Sequence, residues 1–505
     1  MVQKIQKIIF LFAFLCTIAN SLFAQLSPKR EFRGVWMHVI GQDYYQNMTP
    51  EQMKVFLIEA LDQFQALNMN AVIFQVRPTA DAFYNSHVEP WSKFLSGQQG
   101  MAPPGQFDPM EFMIEECHQR NMEFHAWLNP YRVTSDGNDH LAKSHIYYRH
   151  PEWFVEYGSQ LYFDPGIPAC RKHICEVVHD IVKRYDVDAI HMDDYFYPYP
   201  IAGEQFPDDV SFKIYGKGFK NKEDWRRNNV NQLIDELHHT IKKNKSWVRL
   251  GISPFGIYRN KRSTPDSSGS LTNGLQNYDD LYADVKLWVK KAWIDYNIPQ
   301  IYWEIGHQAA DYETLIRWWS QNNYGAHLYI GQDVVRTVNA SDLFTRGRNQ
   351  LTRKMQLEHT IPAIYGHCFW PGYEILNNTG GIADSLRNSY HRYPAMIPAY
   401  KHLNDGAPND VRALKTEWTG GGYKLCWKKN GNPDKPKNAQ YYVVYRFLQK
   451  EPVNLKDPSN IVTITRGTEI ILPYAGGQTA YKYIVTSVDR YHNESKRGRS
   501  LVVKL

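Results

Sequence analysis

Apolar positions along the first 400 residues follow two rhythms that take turns. In "TPEQMKVFLIEALDQFQALNMN", Met53, Phe56, Leu57, Ala60, Leu61, Phe64 and Leu67 recur every three or four residues, which predicts a helix with one buried face. Thr49 stands at the N-cap position, Pro50 opens the helix, and Gln52 completes a capping box. The segment that follows, "AVIFQVRP", alternates with period two, as a strand does. The next pair, "DPMEFMIEECHQRNM" and "EFHAWLNP", repeats both devices, with Asp108 as the cap and Pro109 behind it. Further strands are predicted at 187–198, 247–256, 296–304, 325–331 and 360–370, each behind a helical segment, and 31–40 stands in front. Helix–strand alternation means a parallel sheet, and eight such units over 29–400 fit a closed (β/α)8 TIM barrel better than an open sheet. The stretches 78–107, 131–170, 198–222 and 257–278 are long and rich in Pro, Gly, Asn and Tyr. In a barrel they belong at the C-terminal mouth, where sites are built.

The pattern changes near Asp405. A polar linker, "NDGAPNDVR", leads into short segments of period two, which predict a small all-β sandwich over 408–505. Trp427 and Tyr483 resemble the core of a fibronectin type III module, and no candidate site lies in this part. At the other end, Lys4 and Lys7 precede an apolar run from Ile8 to Ile18 and then "NSLFAQ". That order reads as an export signal over 1–24, cut after Ala24, and the run is too short to span a bilayer. The expectation is an exported protein, periplasmic, envelope-associated or secreted, with no transmembrane helix once the signal is gone.

The net charge of +6 over 505 residues, with no long Lys/Arg run, excludes a nucleic-acid footprint. The cysteines beyond the signal (117, 170, 175, 368 and 426) are odd in number and irregular in spacing. They form neither a disulfide framework nor a CxxC zinc ribbon. With 34 Tyr and 14 Trp the chain is rich in flat faces that can stack on sugar rings as well as fill a core.

The chemistry lies in the other half of the strand alternation. Strands covered on both faces should be apolar throughout, yet only one alternate set is. Val72, Phe74 and Val76 are apolar, opposite Gln75 and Arg77. Phe124, Ala126 and Leu128 stand opposite His125, Trp127 and Asn129; Ile190 and Met192 opposite His191 and Asp193. Ile301 and Trp303 alternate with Gln300, Tyr302 and Glu304, while Trp36, His38, Ser253, His327, Tyr329, Tyr365 and His367 extend the polar set. If the apolar set meets the helices, the polar set faces the barrel axis. Buried polar groups cost a few kcal/mol unless paired, so their convergence implies a site. Asp193 and Glu304 end two strands, and glycoside cleavage commonly uses two carboxyl groups, one as nucleophile or base and one as acid. Asp194 points the other way along a regular strand and inward if the strand stops there; Asp81 is a further acid. Arg77, Arg132 and His191 are available to keep a nucleophile ionised. Tyr195 and Trp370 join Trp36 and Trp127 as stacking surfaces.

The strings "EFRGVWMHV", "FQVRPTADAFYNSHVEPWS", "AWLNPYR", "HMDDYFYP" and "PQIYWEIGH" resemble, in order, the glycosyl-hydrolase-like family 10 proteins. The resemblance spans about 29–400. It implies a (β/α)8 barrel, a glycoside hydrolase role in the envelope or outside the cell, and often an appended fibronectin-like module. It also implies polysaccharide substrates, among them peptidoglycan glycan strands lacking stem peptides. The "DDYFYP" match supports Asp193 and Asp194, with Asp81 next in line as acid after Glu304.

Two rival readings remain at this level. A metal-dependent hydrolase or polysaccharide deacetylase would use the Asp pair beside a histidine. No HxH or HxxxH pair accompanies it, and no metal or other cofactor is expected. A non-catalytic glycan-binding barrel would use the same aromatic residues.

Overall fold

The computed structural model describes residues 27–342, 345–432, 435–496 and 498–505. The predicted export signal lies outside the described residues. Eight parallel strands form a closed barrel: β1 (Phe32–Met37), β2 (Ala71–Arg77), β3 (Glu123–Leu128), β4 (Ala189–Met192), β5 (Arg249–Ile252), β6 (Tyr296–Asn297), β7 (His327–Asp333) and β8 (Ile364–Trp370). They are hydrogen-bonded in chain order, and β8 closes on β1. The intervening helices include α1 (Pro50–Ala66), α2 (Pro109–Gln119), α3 (Pro168–Arg184), α4 (Lys222–Asn244), α5 (Val285–Lys290), α6 (Tyr312–Asn322) and α7 (Leu351–His359). The sequence caps are present. Thr49 and Gln52 bond each other's backbone N–H groups, and Asp108 accepts from Met110 and Glu111.

The strand alternation separates two cores. Val35, Val72, Phe74, Phe124, Ile190, Leu250 and Leu328 pack outward against the helices. Phe32, Trp36, Ile73, Trp127, Tyr296, Tyr329 and Cys368 fill the barrel itself. Gly251 belongs to the interior because a Cβ there would lie 1.8 Å from the Tyr296 ring.

At the N-terminal end of the barrel the interior is ionic. Glu123 Oε1 takes Arg249 Nη2 at 2.5 Å and His492 Nε2 at 2.7 Å. Burial opposes its charge, yet Arg249 and His492 hold the Glu123 carboxyl well below its ordinary range. His492 arrives from the C-terminal part of the chain. There β9 (Arg412–Trp418), β10 (Gly422–Lys428) and β13 (Glu469–Pro473) form one antiparallel sheet. β11 (Tyr441–Leu448), β12 (Ile461–Thr465), β14 (Ala480–Val488) and β15 (Ser500–Lys504) form the other. Trp427, Tyr442 and Tyr483 lie in the core between them. The turn after β14 plugs the barrel floor, fixed by Arg490–Asp186 at 2.9 Å and Tyr491 O–Tyr400 N at 2.9 Å. No helix among the described residues is long and apolar enough to cross a membrane.

Candidate active site

A cavity of about 390 Å³ opens at the C-terminal rim, the end away from the sandwich. It is lined by Trp36, His38, Ile40, Gln75, Trp127, Arg132, Asp193, Asp194, Tyr195, Ser253, Gln300, Tyr302 and Trp370. Its floor is set by a hydrogen-bonded chain along the barrel axis whose direction follows from the donors available. An indole can only donate, so Trp36 Nε1 fixes His191 Nε2, 3.3 Å away, as an acceptor. Ser253 Oγ reaches the same nitrogen at 2.9 Å. The His191 proton is then on Nδ1 and goes to Tyr296 Oη at 3.1 Å; Tyr296 donates to His125 Nδ1 at 2.8 Å. His125 Nε2–H ends the chain on Glu123 at 2.9 Å. Burial keeps His191 and His125 neutral, with pKa values below the usual imidazole range.

β4 ends at Met192, and this release turns both Asp193 and Asp194 toward the cavity. Asp193 Oδ2 accepts from Trp127 Nε1 at 3.0 Å, with Asn129 Nδ2 at 3.4 and 3.5 Å and Tyr195 N at 3.4 Å. Burial raises its pKa, and Arg132 and these donors oppose the rise. Arg132 is held by the Pro78 carbonyl at 3.0 Å and lies 5.1 Å over the Tyr195 ring. Asp194 accepts from the Tyr199 hydroxyl and from Gln300, but burial first and the neighbouring Asp193 second push its pKa up to about 7. Two close carboxyls in a shared low-dielectric site do not ionise together. Asp193 has a cation and an indole donor to favour its charge, whereas Asp194 has the Asp193 carboxyl beside it to favour the proton. Gln75 holds the first mouth loop by accepting from Val39 N at 3.0 Å. His38, lowered to about 4 by burial, tilts against Trp370 at 4.5 Å.

Asn129 and His191 support the cavity from behind through Asp193, Trp36 and Ser253. Four sequence candidates lie elsewhere. Glu304 lies well past the end of the sixth strand, which stops at Asn297. Pro299 has no N–H for a ladder, and only Gln300 bridges onward, to Phe255 and Gly331. Glu304 lies outside the cavity lining, within electrostatic reach of Lys354. Arg77 is turned away by a register shift after Gln75; it is fully buried and pairs with Glu89 at 2.6 and 2.7 Å. Asp81 is buried behind the wall, bonded by Gln99 at 3.1 Å. His367 is outward because β8 bulges before it, where Gly366 takes φ +146°. The inward positions are Cys368 and Trp370, and His367 instead meets His391 at 2.9 Å and Glu358 at 3.4 Å. Among the described residues, the one group of three donors close enough to share a metal ion is Glu31, His367 and His391, away from this cavity. Ile40 and Tyr199 escaped the sequence reading; the Tyr at every second position in "DYFYPY" was the available signal for Tyr199.

Residues 31–345 match the family model described as glycosyl hydrolase-like 10. The chain belongs to that family. It is 41% identical over 491 residues to "Glycosyl hydrolase YngK" of Bacillus subtilis, covering 95% of both chains. It is 38% identical over 327 residues to "Glycosyl hydrolase DigH" of Escherichia coli, covering 61% of this chain and 73% of the relative. Among solved structures, the catalytic domain of a Paenibacillus polymyxa β-amylase superposes with a TM-score of 0.46 at 11% identity, over 72% of this chain and 99% of that one. Seven of the eight strands and the aspartate pair fall within the matched region of this glycosyl hydrolase-like 10 family member, while β8 and its cavity residue Trp370 lie beyond it.

Proposed function

We propose that this chain is an exported glycoside hydrolase that cleaves O-glycosidic bonds of a polysaccharide. The observation that carries the reading is a pair of adjacent buried carboxyls in one aromatic-walled cavity at the C-terminal rim, Asp193 among an indole donor and a cation and Asp194 with its pKa pushed up to about 7. Asp194 is the general acid that protonates the leaving oxygen, and the negative Asp193 stabilises the positive charge that develops in an oxocarbenium-like transition state. Tyr195, Trp370 and Trp36 supply flat faces for sugar rings. The exported location rests on the N-terminal signal pattern in 1–24. The substrate we propose is an envelope glycan, peptidoglycan strands lacking stem peptides first among them.

The test is product analysis by mass spectrometry after incubating the purified protein with peptide-free peptidoglycan strands, chitin oligosaccharides and neutral glucans. New reducing ends on at least one glycan support the reading. Glycan retention without new reducing ends would make the chain a binding barrel. Loss of activity in chelator, with restoration by a divalent metal, would make it a metal-dependent hydrolase.

A further inference from the structure

Hydrolysis by this site leaves one role unfilled, the nucleophile at the anomeric carbon. It must approach from the face opposite the departing oxygen, which is why glycosidases set two carboxyl groups across the bond, about 5–5.5 Å apart when retaining and 6.5–9.5 Å when inverting. Here the two acids are consecutive residues at the end of one strand and reach the cavity from one wall. Among the described residues no third carboxylate lines the cavity, since Glu304 lies outside it near Lys354 and Asp81 is buried on Gln99. Two groups on one wall cannot stand in line across C1.

We propose that the nucleophile is the substrate's own 2-acetamido oxygen and that Asp193 holds the acetamido N–H, so that the reacting sugar is a 2-acetamido-2-deoxyhexose. The inference rests on the hydrolase reading above. Its geometry is that of a carboxylate with one short bond, to Trp127 Nε1 at 3.0 Å, and otherwise only contacts of 3.4–3.5 Å. Three of the four Asp193 contacts are long and weak, so an amide donor from the cavity can take the place of one of them. The neighbouring wall is indole. Trp127 and Trp370 meet edge to face at 6.0 Å, and Trp36 is locked by its bond to His191. Such a surface suits the acetamido methyl group. Tyr302 lines the same cavity within electrostatic reach of Asp194 and offers a hydroxyl to the acetamido oxygen.

The step balances without a further reactant. The acetamido oxygen forms a bond to C1 as the C1–O glycosidic bond breaks; the electron pair leaves on the glycosidic oxygen, which takes the Asp194 proton. Asp193 stabilises the positive charge on the cyclised amide through its N–H. Asp194, now a carboxylate, accepts a proton from water while the water oxygen attacks C1, and the C1–O bond of the ring intermediate returns its electron pair to the amide. The product keeps its anomeric configuration.

The test uses the full chain on peptide-free strands of alternating N-acetylglucosamine and N-acetylmuramic acid, and on the same strands with N-acetyl replaced by N-trifluoroacetyl. The expected result is a retained anomer by NMR, competitive inhibition by N-acetylglucosamine thiazoline, and a rate lower by about 100-fold or more on the fluorinated strands, because the internal nucleophile is weakened. Equal rates on both strands, an inverted product, or cleavage confined to glycans without acetamido groups would overturn the acetamido role and leave the hydrolase reading standing. No cleavage of any glycan in the panel would remove both.

Discussion

Asp194→Asn should make the protein more stable while stopping its chemistry, and the size of the gain can be worked out from the site. Burial and the adjacent Asp193 raise the Asp194 pKa from 3.8 to about 7. The folded state therefore holds this proton more tightly than the unfolded chain, and stability falls as pH rises between those two values. At 1.36 kcal/mol per unit, ionised Asp194 costs about 4 kcal/mol above pH 7 and between 1 and 2 kcal/mol, roughly, at pH 5. Asparagine resembles the neutral acid and keeps an acceptor for Tyr199. The variant should thus gain roughly 4 kcal/mol at pH 8 and less than half of that at pH 5. Unfolding entropy is about 2.1 cal/mol/K per residue, so over 505 residues the gain at pH 8 is roughly a 4 °C rise in Tm. Differential scanning calorimetry of both proteins at pH 5, 6.5 and 8 reads it. A variant gap that stays constant or shrinks with pH would refute the claim that Asp194 is a buried acid with a raised pKa.

Because Asp194 must carry its proton to act, kcat/KM should fall as pH rises through about 7, the value burial gives this carboxyl; a rate that climbs steadily to pH 9 would assign the acid elsewhere. Glu123→Gln leaves the buried Arg249 guanidinium without its anion and should cost about 3–5 kcal/mol in urea unfolding, with the rim cavity intact. Gly251→Ala forces a methyl into the Tyr296 ring, which would lie 1.8 Å from the added Cβ. It should lower Tm and displace the His191–Tyr296–His125 chain, visible as a loss of protection of those ring protons by NMR. Removing 408–505 takes His492 from Glu123 and opens the barrel floor, so the truncated barrel should melt well below the full chain.

The chain shows its barrel openly because most of its helices carry a side-chain cap and its longer strands alternate. Thr49, Pro50 and Gln52 mark α1, and the Val72–Phe74–Val76 stripe marks the outward face of β2. Where the alternation is regular, the inward residues Trp36, Gln75, Trp127 and Asp193 fall where the pattern puts them. The misplacements of Arg77 and His367 share one physical cause: a single extra or missing ladder residue flips every side chain beyond it. The register shift after Gln75 turns Arg77 outward, and the bulge before His367 does the same on β8. "IPQIYWE" alternates well enough to read as strand, but the ladder ends at Asn297; Gln300 and Tyr302 still line the cavity, while Glu304 does not. The sandwich's part in the barrel was illegible because it depends on a bond between His492 and Glu123, 369 residues apart in sequence. No local pattern encodes such a pairing.

The proposed function requires that the aspartate pair break a glycosidic bond. The measurement is reducing-end release from peptide-free peptidoglycan strands by the wild type, Asp193→Asn and Asp194→Asn, alongside binding of the same strands by each. Steady release by the wild type, a loss of about 100-fold or more in each variant, and near-unchanged strand affinity in all three is the predicted result. A variant that releases reducing ends as fast as the wild type would contradict it.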